Sequence, residues 1–86
     1  MTDLARSPKQ IGSVLRRARK KRGMSQADLG SRAGLRQGTV SLIENGNPGV
    51  RIETLLAVLA ALDLEFRIEP RGAGGASDAD LEDLLG

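Results

Sequence analysis

Apolar residues recur along this chain first with the period of a helix and, near residue 64, with the period of a strand. Ile11, Val14, Leu15 and Ala18 fall on one helical face. Ser7-Pro8-Lys9-Gln10 precedes them as a capping box with proline at the first helical position. Gly23 supplies a left-handed stop. The spacing predicts a helix over 8–22, with Arg16, Arg17, Lys20 and Lys21 mostly off the apolar face.

A second capping box, Ser25-Gln26-Ala27-Asp28, follows. Met24 before it and Leu29 inside it form a hydrophobic staple, and Leu29 and Ala33 continue the inner face. Gly34 ends this helix, which is expected over 26–33. Leu35 and Val40 staple a third helix that starts at Arg36. Its buried face is Val40 and Ile43, and Asn45-Gly46 stops it. Arg36 is a poor N-cap, because it offers no acceptor to the free N–H groups. Gly38 in the first turn costs about 1 kcal/mol of helix propensity relative to alanine. Two locally unfavourable choices at one helix start mark a functional site.

Asn47-Pro48-Gly49 makes a turn. Ile52, Leu55, Leu56, Leu59 and Leu62 then predict a fourth helix over about 52–63. Beyond it Leu64, Phe66 and Ile68 alternate with Glu65, Arg67 and Glu69, and Pro70 closes the run, which reads as one strand. No other segment alternates, so its backbone ladder needs a partner from outside the chain. The simplest solution pairs the strand with its own copy across a two-fold axis, with Leu64, Glu65, Phe66, Arg67 and Ile68 in the dimer interface. The plainer alternative is an irregular segment lying on the fourth helix.

These elements give an all-α helical bundle with one C-terminal strand. The expected division is a flexible N-terminus over 1–6, one folded unit over 7–69 and a Gly-rich, acidic tail over 70–86. Disorder is the default for such a tail. Ser77-Asp78-Ala79-Asp80 could cap one turn carrying Leu81, Leu84 and Leu85, which would fold only on a partner.

Composition narrows the chemistry. The 86 residues include no cysteine and no histidine. That excludes disulfides, cysteine zinc sites and a thiol nucleophile, and removes the commonest general base and metal ligand. Gly72-Ala73-Gly74-Gly75 lacks the lysine and following helix of a phosphate loop. An enzyme is therefore not expected, nor a metal or other cofactor. One phenylalanine is the sole aromatic residue, so stacking of single-stranded bases is not expected either. The sequence MTDLARSPKQ has no apolar targeting core, and Leu55 to Leu62 is far shorter than the ~20 residues of a membrane span. A soluble, cytoplasmic protein is expected.

The net charge of +2 hides a strong segregation. Residues 1–51 carry eleven Lys/Arg against three carboxylates, a net +8, whereas residues 52–86 carry a net −6. The basic part points to a polyanion, nucleic acid before membrane. Two short helices joined through Gly34-Leu35-Arg36 inside that basic unit make a helix-turn-helix, whose second helix enters the major groove of DNA.

The run MSQADLGSRAGLRQGTVSLIENG, Met24 to Gly46, resembles the Xre/Cro-type helix-turn-helix of phage and bacterial repressors. Gln26, Leu29, Ala33, Gly34, Thr39, Ser41, Glu44 and Gly46 match its typical positions, and the likeness extends from Ile11 to about Leu64. Arg36-Gln37-Gly38-Thr39-Val40-Ser41 together with the strand LEFRIEP is similar to HipB-type antitoxins. The chain departs from the repressor pattern where Arg36 and Arg51 replace the usual Ser or Thr caps.

The resemblance implies a dimeric, sequence-specific repressor of a pseudo-palindromic double-stranded DNA operator. It also implies an antitoxin that autoregulates its operon and binds a HipA-like, kinase-fold toxin. It places Arg36, Gln37, Gly38 and Ser41 against base edges, and Gln26, Thr39 and Asn45 against phosphates. The chemistry agrees: Gln pairs with adenine and Arg with guanine in the major groove. It further implies a structural ion pair between Arg19 and Glu44. Two other readings stay open: a stand-alone Xre-type regulator, such as a phage repressor or restriction-system controller, and an interaction module that inhibits an enzyme without reading DNA.

Overall fold

A computed structural model of the chain describes residues 4–71. Four helices follow one another: α1 (Pro8–Lys21), α2 (Gln26–Ala33), α3 (Gln37–Glu44) and α4 (Ile52–Ala61). Each of the first two starts on a serine. The Ser7 hydroxyl accepts from the Gln10 N–H at 3.1 Å, and the Gln10 side-chain carbonyl accepts from the Arg6 N–H at 2.6 Å. Ser25 and Asp28 close a reciprocal capping box at 3.0 and 2.9 Å. The Ser25 backbone N–H, and after it the Ser25 hydroxyl, hold the Asp28 carboxyl below the ordinary aspartate range. The starts of α3 and α4 differ: their N-caps are Arg36 and Arg51, and neither side chain makes a capping bond.

The core gathers one stripe from each helix. Leu15, Leu29, Val40, Ile43, Val58 and Leu62 are buried, and Ile11, Ala18, Met24, Leu35, Leu55, Leu59 and Leu64 pack around them. Helix α2 packs on both α3 and α4, and α1 packs on α3. Helix α4 ends earlier than its apolar period suggests. Leu62 leaves the helix as its C-cap and turns into the core, and Asp63 takes a left-handed φ of 55°. The five-residue stripe expected for α4 is also split. Leu62 is fully buried and Leu55 and Leu59 half-buried, but Ile52 is 75% and Leu56 46% exposed. Val58 takes the central place instead. Apart from Glu53 and Thr54, the segment IETLLAVLAA is apolar all round, so periodicity alone does not choose which stripe turns inward.

Residues 64–70 form neither helix nor ladder in the single chain. The physical reason is the one that isolates this segment in the sequence: a strand exists only by pairing. Leu64 rests against the core, while Phe66 is 58% and Ile68 68% exposed. Glu65 and Arg67 meet at 3.7 Å on the solvent side. The acidic tail from residue 72 onward, with its expected single turn, lies outside the described residues.

Candidate nucleic-acid interface

The helix-turn-helix is closed by two glycines that do different work. Gly34 sits at φ +72°, the left-handed conformation that ends α2. Gly30 lies inside α2, where an added Cβ would meet the Leu35 carbonyl oxygen at 2.7 Å. The turn thus presses directly on the α2 backbone, and α3 is set at a fixed angle to it.

A second anchor holds the far end of α3. Glu44, in its last turn, forms a two-pronged ion pair with Arg19 of α1. Arg19 Nε lies 2.7 Å from Oε2, and Nη2 lies 3.0 Å from Oε1. The third nitrogen, Nη1, donates to the Met24 carbonyl at 2.7 Å. Gln26, the first residue of α2, donates its amide to Glu44 Oε1 at 3.2 Å. Burial pushes the Glu44 carboxyl up. The bonds from Arg19 and Gln26 and the charges of Arg19 and Arg16 outweigh it, so the group stays below the ordinary glutamate range. The bond to Glu44 likewise raises Arg19, against the effect of its own burial. No buried side-chain polar atom among the described residues lacks a partner.

Close backbone packing reinforces this anchor. A Cβ on Gly12 of α1 would meet the carbonyl oxygens of Ile43 and Glu44 at 2.5 and 2.6 Å. A Cβ on Gly46, at φ +81°, would meet the Lys9 Cα at 2.7 Å. Helix α1 therefore lies directly on the C-terminal carbonyls of α3. Sequence reading overlooks Gly12 and Gly30, since a glycine within a helix carries no sign of what approaches it. The one signal is their helix-interior position, where glycine is otherwise unfavourable.

With that frame fixed, the faces of α3 follow from about 100° of rotation per residue. Val40, Ile43 and Glu44 point inward and are buried. Gly38, Leu42 and Asn45 occupy the opposite, exposed face. Gln37 and Ser41 lie along one edge of that face and Thr39 along the other. Of the residues singled out for base contact, Arg36, Gln37 and Gly38 are exposed at the helix start, and Ser41 is half-buried. A Cβ on Gly38 would meet nothing within 4 Å, so the fold itself does not require a glycine there.

The three residues singled out for phosphate contact do not share one setting. Asn45 is exposed and donates to the Ser41 hydroxyl across a long 3.4 Å. Thr39 is half-buried. Gln26 turns one amide hydrogen inward to Glu44, leaving its carbonyl and second hydrogen for other partners. Among the described residues no group of three or more acidic side chains is placed to hold a metal ion, and no helix is long and apolar enough to cross a membrane.

A family model, Helix-turn-helix, matches residues 15–68. The chain belongs to the helix-turn-helix family. It is 38% identical over 68 residues to an uncharacterized HTH-type transcriptional regulator, y4dL, of Sinorhizobium fredii (strain NBRC 101917 / NGR234). That match takes in 79% of this chain but 35% of y4dL, so the chain spans about a third of that relative's length. It is 26% identical over 78 residues to the antitoxin HipB of Escherichia coli O6:H1, covering 91% of the chain and 83% of HipB. Among solved structures it superposes on a chain of a HipA–HipB–O2–O3 complex with a TM-score of 0.72 and 25% identity, over 78% of this chain and 94% of that one. The helix-turn-helix fold is thus the one implied by the Met24–Gly46 motif, and the described residues, all-α and HipB-like, match the likeness drawn from Arg36–Ser41 and the segment after α4.

Proposed function

We propose that this helix-turn-helix protein is a DNA-binding transcriptional repressor and the antitoxin of a type II toxin–antitoxin pair. It binds a pseudo-palindromic operator as a dimer, autoregulates its operon and engages a HipA-like, kinase-fold toxin. One observation carries the DNA-binding part. The start of α3 stands open, with Arg36 uncapped and Arg36, Gln37 and Gly38 all exposed, on a helix whose two ends are fixed by Gly30 and by Arg19–Glu44. A helix start that is locally unfavourable yet rigidly held suits insertion into a major groove. The antitoxin part rests on likeness to HipB along most of both chains and to a HipB bound with HipA.

Arg36, Gln37, Gly38 and Ser41 meet base edges; Gln26, Thr39 and Asn45 meet phosphates. Residues 7–69 make the DNA-binding and dimerising unit, and Leu64 to Ile68 pair with the same segment of a second copy. The protein acts in the cytoplasm and performs no catalysis of its own. Likeness to y4dL, an HTH-type transcriptional regulator by name, keeps one second reading, a stand-alone regulator.

The test joins two measurements. Fluorescence anisotropy with the DNA upstream of the gene, against a scrambled duplex of equal length, should show tighter binding by at least about a thousandfold, the low end of specific over non-specific affinity. Affinity purification of the protein from its native host should recover a kinase-fold partner. Equal binding to both duplexes would overturn the repressor reading. Specific DNA binding with no such partner would leave the stand-alone regulator.

A further inference from the structure

Leu42 is a large apolar side chain on the outward face of the helix that the proposed function places in the major groove, and it is 52% exposed. Its neighbours on that face are Gly38 one turn before and Asn45 one turn after. Side chains on a helix lean toward its N-terminus and cover the turn before their own Cα. Leu42 therefore leans over Gly38, where nothing stands within 4 Å of a Cβ. The exposed face is thus open over Gly38, with Leu42 one turn beyond it.

The turn that carries Leu42 is held in place. The Leu42 carbonyl accepts from the Asn47 N–H at 3.0 Å, and Ile43 and Glu44 next to it are buried. A leucine offers neither charge nor hydrogen bond, so it has nothing for a phosphate. In the major groove, thymine alone presents a methyl group, and apolar side chains read it by contact. Gly38 is then explained as well: any larger residue would fill the space the methyl enters, and the helix bears the propensity cost of leaving it open.

We propose that Leu42 is a specificity-determining residue that reads the 5-methyl group of a thymine, one in each half-site, within the gap left by Gly38. This rests on the reading that α3 enters the major groove. Duplexes bound by the wild-type protein are selected from a random library. Each thymine of the selected duplex is then replaced in turn by deoxyuridine, which removes only the methyl group. At one symmetry-related pair of positions, replacement should weaken wild-type binding about fourfold per half-site, the effect of burying one methyl group. Leu42→Ala should bind the thymine duplex more weakly and lose most of that thymine-over-uracil ratio. Gln37→Ala should bind more weakly but keep the ratio.

Two results overturn the proposal alone. One is a wild-type ratio of one at every thymine while Gln37→Ala still relaxes sequence preference. The other is a Leu42→Ala protein that keeps the ratio; if it also falls apart to monomers in light scattering, Leu42 is a contact between copies. If neither variant changes sequence preference, the major-groove reading of α3 falls first. Leu42 is surface-exposed, so circular dichroism should show the Leu42→Ala fold intact.

Discussion

Arg19 and Glu44, twenty-five residues apart in sequence, form one ion pair with two hydrogen bonds between α1 and the end of α3. Their side chains are 9% and 2% exposed. Arg19 also bonds the Met24 carbonyl and Glu44 also bonds Gln26, so the pair ties together α1, the start of α2 and α3. A buried pair of this kind adds little net stability over an apolar pair, but losing one partner leaves an uncompensated charge. Glu44→Gln should therefore cost about 3–5 kcal/mol. That is a large share of the roughly 5–15 kcal/mol that holds a small domain together. Urea unfolding followed by circular dichroism measures it, and a loss below about 1 kcal/mol, the level of a surface pair, would contradict this account.

Acid should act through the same carboxylate. Glu44 and Asp28 are both held below their ordinary pKa values in the folded protein. A carboxyl depressed by folding contributes stability in full above its unfolded value, about 4.3 for Glu and 3.9 for Asp, and loses it as pH falls through the folded value. The melting temperature should thus be nearly flat from pH 7 to about 5 and fall steeply below about 4.5. Glu44→Gln should melt lower at pH 7 and decline less on acidification. Parallel curves for the two proteins would remove Glu44 from the acid response.

The glycines separate structure from function. At Gly12 a methyl group would meet two backbone carbonyls at 2.5 and 2.6 Å, and at Gly30 another at 2.7 Å. Neither neighbour is a side chain that can move aside. Gly12→Ala should cost about 3 kcal/mol or more, at the upper end of overpacking effects. Gly38→Ala should do the opposite and stabilise the fold by up to about 1 kcal/mol, since it gains helix propensity and meets nothing. Its penalty should appear only on operator DNA. Thermal melts of the two variants, beside operator affinity for Gly38→Ala, test this. A destabilised Gly38→Ala would mean that the fold needs this glycine after all.

Helix starts and stops are legible in the sequence because capping is local chemistry: Ser7, Ser25 and Gly34 act within a few residues of themselves. The Arg19–Glu44 pair is legible only through family likeness, since nothing local joins residues 19 and 44. Gly12 and Gly30 are not legible, because what they make room for lies on another element. The stripe of α4 is misjudged for a related reason. A helix apolar on most sides takes its orientation from the partners around it, and these chose Val58 over Ile52.

Ile52 and Leu56 on α4, and Phe66 and Ile68 beyond it, are large apolar side chains left exposed in the single chain, and the proposed pairing would cover them with a second copy. Antiparallel pairing about Phe66 would set Leu64 opposite Ile68 and Glu65 opposite Arg67. Complementary charges would then lie on one side and apolar contacts on the other. Each cross-strand pair contributes about 0.2–1 kcal/mol. Phe66→Pro removes a ladder donor at the centre of the pairing and should shift the protein from dimer to monomer at micromolar concentration. Its melting point should then become less dependent on concentration. A wild-type monomer in light scattering at that concentration would end the pairing scheme.

Sequence readout and charge attraction separate in their response to DNA sequence and to salt. The start of α3 from each protomer should enter successive major grooves about 34 Å apart on one side of the duplex. Gln37 is exposed at that start, so Gln37→Ala should weaken operator binding by about 1–3 kcal/mol and relax preference at one position per half-site. Random DNA should hardly register the change. Lys20 and Lys21 are exposed in the last turn of α1, off the helix proposed to read bases, so contact with DNA through them is expected at phosphate. Replacing both with alanine should weaken operator and random DNA alike and lower the salt slope by about 1 for each phosphate no longer neutralised. Anisotropy titrations on both duplexes between 50 and 200 mM salt, roughly the range over which phosphate binding is expressed, separate the two effects. If Gln37→Ala and the lysine variant weaken both duplexes equally, α3 holds the DNA without reading it, and the specificity must come from the shape of the duplex.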